Sequence, residues 1–169
     1  MKAPKPRDPK RSALMARVRR KDTAAEAAVA KTLRSSGVAY RKSCRSLPGS
    51  PDFANRRRGW AIFVHGCFWH HHSDCPRATV PKTNPDFWRA KFADNRLRDA
   101  RAIAGLERDG FRVAVVWECQ IDDAAALRAA LSEIIEPRGP EIGEPLHHRR
   151  VVVDVAGPRR RVVSDRADR

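Results

Sequence analysis

Apolar and polar positions alternate along this chain in blocks that mark out a small set of elements. Trp60-Ala61-Ile62-Phe63-Val64 is a near-continuous apolar run between Gly59 and Gly66, the signature of a central strand covered on both faces. Phe111 to Trp117 repeats the pattern as a second buried strand and ends at Glu118-Cys119. Thr23 and Glu26 form a capping box ahead of Ala24 to Leu33, a run of helix formers stopped by Ser35-Ser36-Gly37. Val38 to Arg41 is a short strand candidate. The turn Leu47-Pro48-Gly49-Ser50-Pro51 then delivers Asp52-Phe53-Ala54, so Asp52 opens or lies on a strand. Asp86 to Arg108 reads as a long charged helix ending at Gly110, and Asp122 to Glu136 as a last helix stopped at Pro137. A short basic helix is expected near Ser12 to Arg20, and Val151 to Val155 is a further edge-strand candidate. The order helix, strands, helix, strand, helix argues an α/β protein with a mixed sheet flanked by helices.

At 169 residues the chain can bury one ordinary core. The expected division is a basic arm at 1–10, one domain at 11–137 and a basic tail at 138–169. Charge changes the picture. The balance of 35 Lys plus Arg against 20 Asp plus Glu leaves +15, which points to a polyanionic partner rather than to any fold. The first 21 residues carry nine bases and one acid, and residues 147–169 seven bases and three acids, so the bias extends through both ends. No stretch approaches the ~18 apolar residues of a membrane span, and no secretory signal is apparent. A soluble intracellular protein in a reducing compartment is therefore expected, with its cysteines free for uses other than disulfides.

Those uses concentrate in His65-Gly66-Cys67-Phe68-Trp69-His70-His71-His72-Ser73-Asp74-Cys75, where two thiols, four imidazoles and two large aromatics fall within eleven residues. Cys67, His72 and Cys75 have metal-ligand spacing, and Cys119 completes a tetrahedral Cys3His set if its strand lies beside the one ending at Val64. The alternative is two small buried cysteines and a surface run of histidines. A closed set of this kind suits a structural Zn2+, and three thiolates with one zinc sum to about −1, a poor charge for attacking phosphate. His71 is the spare histidine, placed in solvent, and Cys44 is a lone thiol used in packing. Asp52, presented at a sheet edge after a Gly-Ser-Pro turn, is a hard oxygen donor of the type Mg2+ takes, although a Pro-Asp pair is also ordinary turn chemistry. Phe68, Trp69 and Trp88 stand in polar surroundings and Met15 on a basic segment; for each, core packing is the competing role.

Pro51-Asp52-Phe53, Phe63-Val64-His65-Gly66-Cys67-Phe68-Trp69-His70 and Val116-Trp117-Glu118-Cys119 together resemble the very short patch repair (Vsr) DNA mismatch endonucleases. Asp22-Thr23-Ala24-Ala25-Glu26 and Pro85-Asp86-Phe87-Trp88 extend the resemblance, which runs from about Arg11 through the last helix. It implies a restriction-endonuclease-like fold and nicking of one strand 5′ to the thymine of a T:G mismatch, the lesion left by deamination of 5-methylcytosine. It implies Asp52 as Mg2+ ligand, His70 as general base, and His65 and Glu26 as supporting polar residues. Cys67, His72, Cys75 and Cys119 are its zinc ligands, and Phe68, Trp69, Trp88 and Met15 its wedges into the base stack. Restriction-type enzymes usually carry acid-x-Lys on the second strand; Phe63-Val64-His65 stands there instead. Where this family often has Thr, Val64 offers the metal only its backbone carbonyl. The implied partners are mismatched double-stranded DNA and mismatch-repair proteins, for a monomer working on the bacterial nucleoid in the cytoplasm. Two other readings fit the same residues: a restriction-type endonuclease cutting matched duplex, and a zinc-stabilised DNA-binding module without chemistry.

Overall fold

The computed structural model describes residues 22–136. Within them, α1 (Ala24–Ser35) is followed by β1 (Arg41–Lys42), β2 (Phe53–Asn55), β3 (Trp60–His65), α2 (Pro85–Arg108), β4 (Arg112–Trp117), a 3-10 turn at Glu118–Gln120, and α3 (Ala124–Ile135). The strands form one 4-stranded sheet in the order β1-β2-β3-β4. The first two pairings are antiparallel and β3–β4 is parallel, so the sheet is mixed as expected. The basic segment Ser12 to Arg20, Met15 on it, and Val151 to Val155 lie outside the described residues.

Period-two alternation on β3 and β4 sorts the core into two clusters. Trp60, Ile62, Ala114 and Val116 join Val29 and Leu33 of α1 and Leu127, Leu131 and Ile134 of α3. Ala61, Phe63, Val113 and Val115 face the other way, against Ile103 and Leu106 of α2. Both faces of β3 and β4 are thus covered, which is why their sequences read as apolar runs rather than alternations.

Local chemistry sets the ends of the elements. Thr23 and Glu26 close the capping box of α1, and Asp123 caps α3 by accepting from the amides of Ala125 and Ala126. Pro85 occupies the first turn of α2, where its missing N–H costs nothing. The strand expected at Val38 to Arg41 is instead the two residues of β1. Gly37, at φ 65°, lets its own N–H reach the Arg34 carbonyl and the Val38 N–H reach that of Leu33, so the exit from α1 consumes Val38. Val38 and Tyr40 still pack on the core. Asp122 lies outside α3, whose first helical residue is Ala124.

One tight contact fixes the turn before Asp52. Gly49 has φ 69°, and a Cβ there would sit 2.4 Å from the Ala102 Cβ of α2. Any side chain at this position is excluded both by its backbone and by the helix, so the turn is seated on α2. Cys44 packs at the edge of the same cluster, as expected of a lone thiol; burial pushes its pKa up.

Candidate active site and metal clamp

The site is built at one end of the sheet. Because β3 and β4 are parallel neighbours with His65 opposite Trp117, the segments that follow them leave from the same edge. The first is a helical turn in which the His70 and His72 amides donate to the Gly66 and Cys67 carbonyls. The second is the 3-10 turn that carries Cys119. One candidate donor atom from each of Cys67, His72, Cys75 and Cys119 lies within 4.8 Å of the others. Nδ1 of His72 is 3.3 Å from the Cys119 Sγ and 3.8 Å from that of Cys67. Around this clamp the Glu118 carboxylate accepts from the Cys67 amide at 3.3 Å, and Arg77 donates to the Glu118 carbonyl and pairs with Asp122.

All four cysteines are free thiols. Burial pushes Cys67 up to about 12, with the adjacent Cys119 and Cys75 adding to the effect, and burial likewise raises Cys119. Three thiols crowded around one imidazole nitrogen, where thiolates repel one another, form a donor set whose charged state a soft divalent cation would stabilise. The residues therefore fit a four-coordinate metal ion. His71, expected in solvent, is half-buried with its ring 4.9 Å from that of Phe92. Its φ of 50° turns it out of the clamp and against α2.

Beside the clamp stands a carboxylate–imidazole group. Asp52 directly precedes β2, and its Oδ2 accepts from the Val64 amide at 2.7 Å. Burial raises its pKa to about 6, against the pull of that hydrogen bond; the Glu26 charge adds to the rise and His70 opposes it. Glu26 and His70 thus both act on Asp52 through space. The Glu26 carboxylate is otherwise occupied by its own helix start, accepting from the amides of Asp22 and Thr23 and from the Thr23 hydroxyl.

His70 stacks on His65, with centroids 3.8 Å apart and planes 8° from parallel. His65 is buried, and burial first, then the neighbouring His70, lowers its pKa to about 3, so it stays neutral. Nδ1 of His70 meets Oδ2 of Asp99 at 2.5 Å. Burial alone would raise Asp99, but the hydrogen bond and charge of His70, with help from His65 and Arg98, hold it below the usual carboxylate range. A carboxylate on Nδ1 selects the tautomer with its proton there and leaves Nε2 as the basic nitrogen. Donor atoms of His65, His70 and Asp99 also fall within 4.8 Å of one another. Two nearly parallel rings do not aim their in-plane lone pairs at one point, so the trio does not converge as a metal cage.

Asp99 was not among the residues singled out from sequence, nor was Asn95, whose side-chain amide donates to the Trp69 carbonyl at 2.8 Å. A signal existed. Phe92, Ala102, Ile103 and Leu106 form the buried stripe of α2, and Asn95 and Asp99 interrupt it at helical spacing. Phe68, Trp69 and Trp88 meet in one half-buried aromatic cluster with Phe92. Phe68 lies 5.1 Å from Trp69, 5.4 Å from Trp88 and 5.4 Å from Phe92, in edge-to-face geometry.

Comparison with known proteins completes the picture. The family model for DNA mismatch endonuclease Vsr matches residues 6–77. The chain is 44% identical over 128 residues to the type II nicking enzyme V.XorIIP of Xanthomonas oryzae pv. oryzae, covering 76% of this chain and 93% of that protein. It is 42% identical over 127 residues to DNA mismatch endonuclease Vsr of Escherichia coli, covering 75% and 81%. The type II nicking enzyme V.NmeAIP of Neisseria meningitidis is 39% identical over 126 residues, covering 75% and 89%. A basic α/β protein with a carboxylate–imidazole site and these relatives is an endonuclease, and its substrate is DNA. It belongs to the Vsr DNA mismatch endonuclease family. Among the described residues no helix is long and apolar enough to cross a membrane.

Proposed function

We propose that the protein is a Mg2+-dependent nickase that cuts one DNA strand 5′ to the thymine of a T:G mismatch, as arises when 5-methylcytosine is deaminated. The observation that carries this reading is the convergence of Asp52 and His70 at one sheet end, with His70 oriented by Asp99. The Asp52 carboxylate and the Val64 carbonyl would hold Mg2+. In a strand the N–H and C=O of one residue face the same neighbour, so the Val64 carbonyl lies on the Asp52 side. Magnesium supplies neutralisation of charge developing on the phosphate. Nε2 of His70 takes a proton from the attacking water, whose oxygen bonds to phosphorus as the bond to the 3′ oxygen breaks and that leaving oxygen takes a proton from solvent. Asp99 stabilises the imidazolium, and neutral His65 backs the His70 ring. Glu26 supports Asp52 from the start of α1.

Cys67, His72, Cys75 and Cys119 would hold Zn2+, whose part is to fix the loop. The clamp steadies the neighbouring aromatics, and Phe68, Trp69 and Trp88 act as wedges from one groove while Met15 approaches from the other. Unstacking costs a few kcal/mol per step and less at a mismatch, so a wedge gains selectivity from deformability. The restriction-type character of the core rests on the family resemblance, as does the division into a nuclease domain at 11–137 and basic arms that contact phosphates. We place the protein as a monomer on the bacterial nucleoid, working with mismatch-repair proteins.

The test is nicking of a T:G duplex against its C:G counterpart, with Mg2+ and with chelator. Cleavage confined to the T:G strand and dependent on Mg2+ is expected. Equal rates on the two duplexes would favour a restriction-type enzyme, and cleavage unchanged in Asp52→Ala and His70→Ala would remove the site.

A further inference from the structure

We propose that Trp117 is a positioning residue that ties the His65–His70 pair to the Cys/His clamp and fixes the tilt of the His70 ring; the inference rests on His70 being the base of the proposed reaction. Its indole lies flat on the clamp residue His72, with centroids 4.1 Å apart and planes 6° from parallel. The same indole stands edge-on to His65 at 5.3 Å and 75° and to His70 at 6.5 Å and 74°. One side chain therefore contacts a clamp ligand and both histidines.

The need for such a group follows from geometry. The hydrogen bond from Nδ1 to Asp99 pins one corner of the His70 ring, while coupled changes in its two side-chain torsions can still tilt the ring plane. Stacking on His65 opposes that tilt, provided His65 is itself held. Trp117 supplies the backing, because strand pairing sets it opposite His65 and its own amide donates to the Gln120 side chain at 2.9 Å. A rigid aromatic with few rotamers suits this task better than an aliphatic of equal bulk. Trp117 also packs at the margin of the α2-side core, so the experiment must separate alignment from packing.

Trp117→Leu and Trp117→Phe in the full-length chain make that separation, with kcat and KM measured on a mismatched duplex and clamp metal measured by elemental analysis. Misplacing a catalytic group by about 1 Å can cost on the order of 100-fold, and a tilt smaller than that predicts a kcat about tenfold lower in Trp117→Leu. KM should stay within about twofold and the metal content should be unchanged, with most of the rate restored in Trp117→Phe, since alignment lost at one ring does not weaken DNA binding. In a His70→Ala background Trp117→Leu should have little further effect, because no imidazole remains to align. A Trp117→Leu enzyme with wild-type kcat would overturn the inference while leaving the proposed reaction standing. So would a loss of rate that tracks loss of metal and is not restored by Phe, or one that persists in full without His70. Failure of the wild-type protein to nick any T:G duplex would instead count against the proposed reaction.

Discussion

The loop that follows β3 serves two regions held by different forces. On one side Cys67, His72 and Cys75 meet Cys119 in a clamp made of donors suited to a single ion. On the other, His70 is held by a carboxylate from α2 and by the face of a second imidazole. In the clamp burial raises the Cys67 and Cys119 thiols, so a cation there would favour their charged form. The histidine side is complete in its own contacts. One loop thus carries both a donor set that fits a single ion and a histidine held by protein contacts.

The largest effect should come from breaking the clamp. Cys119→Ser removes the donor carried by the 3-10 turn after β4 and leaves three donors on a single short loop. Loss of the bound metal and of activity together is expected, because the loop carries His70 and the aromatics as well. Elemental analysis and a nicking assay on the purified variant check this. A soluble, active, metal-free protein would show that the histidine side does not lean on the clamp. The converse substitution, Asp52→Ala, should retain the clamp metal and reduce nicking by about 1000-fold, the scale of a lost metal and its charge stabilisation. Metal and activity lost together in that variant would mean the two regions are not separable.

The two regions also differed in how far they could be read from sequence. The clamp was legible as a donor set because three of its residues share one loop and the fourth closely follows a recognisable strand. The capping box at Thr23 and Glu26 and the apolar runs of β3 and β4 were legible for a similar reason, their determinants being local. Asp99 was not, since it lies 29 residues from His70 and pairs with it only once α2 packs against the sheet. Its place on a highly charged helix hid it; only the buried stripe through Phe92, Ala102 and Leu106 distinguishes it from the surface acids. Val38 failed as a strand residue because helix termination took its N–H, a competition that β propensity does not register.

Asp99→Asn sharpens the comparison from the histidine side. An amide on Nδ1 no longer favours the productive tautomer or stabilises the imidazolium, so a fall in kcat of about 100-fold with clamp metal retained is expected. Steady-state kinetics beside metal analysis would decide it. A loss within twofold would leave Asp99 a structural contact only.

The smallest effect concerns Asp52 and has the opposite sign for stability. Its folded pKa of about 6 stands above the ordinary value of 3.8, chiefly through burial. A raised carboxyl pKa means the folded state binds the proton more tightly. The protonated form therefore favours folding, and that advantage is lost as pH rises from about 4 through 6. The full shift corresponds to about 3 kcal/mol at about 1.4 kcal/mol per unit, and solvent access to a partly exposed group reduces it to about 1–2 kcal/mol. Asp52→Asn keeps an acceptor for the Val64 amide and carries no charge to desolvate. Without divalent cation, the variant should match the wild type in urea denaturation near pH 3 and exceed it by about 1–2 kcal/mol at pH 8. Added Mg2+ should narrow that gap by stabilising only the wild type. A constant difference across this range would mean that the carboxylate is better solvated than its burial implies, and that the site stores no electrostatic strain for a cation to relieve.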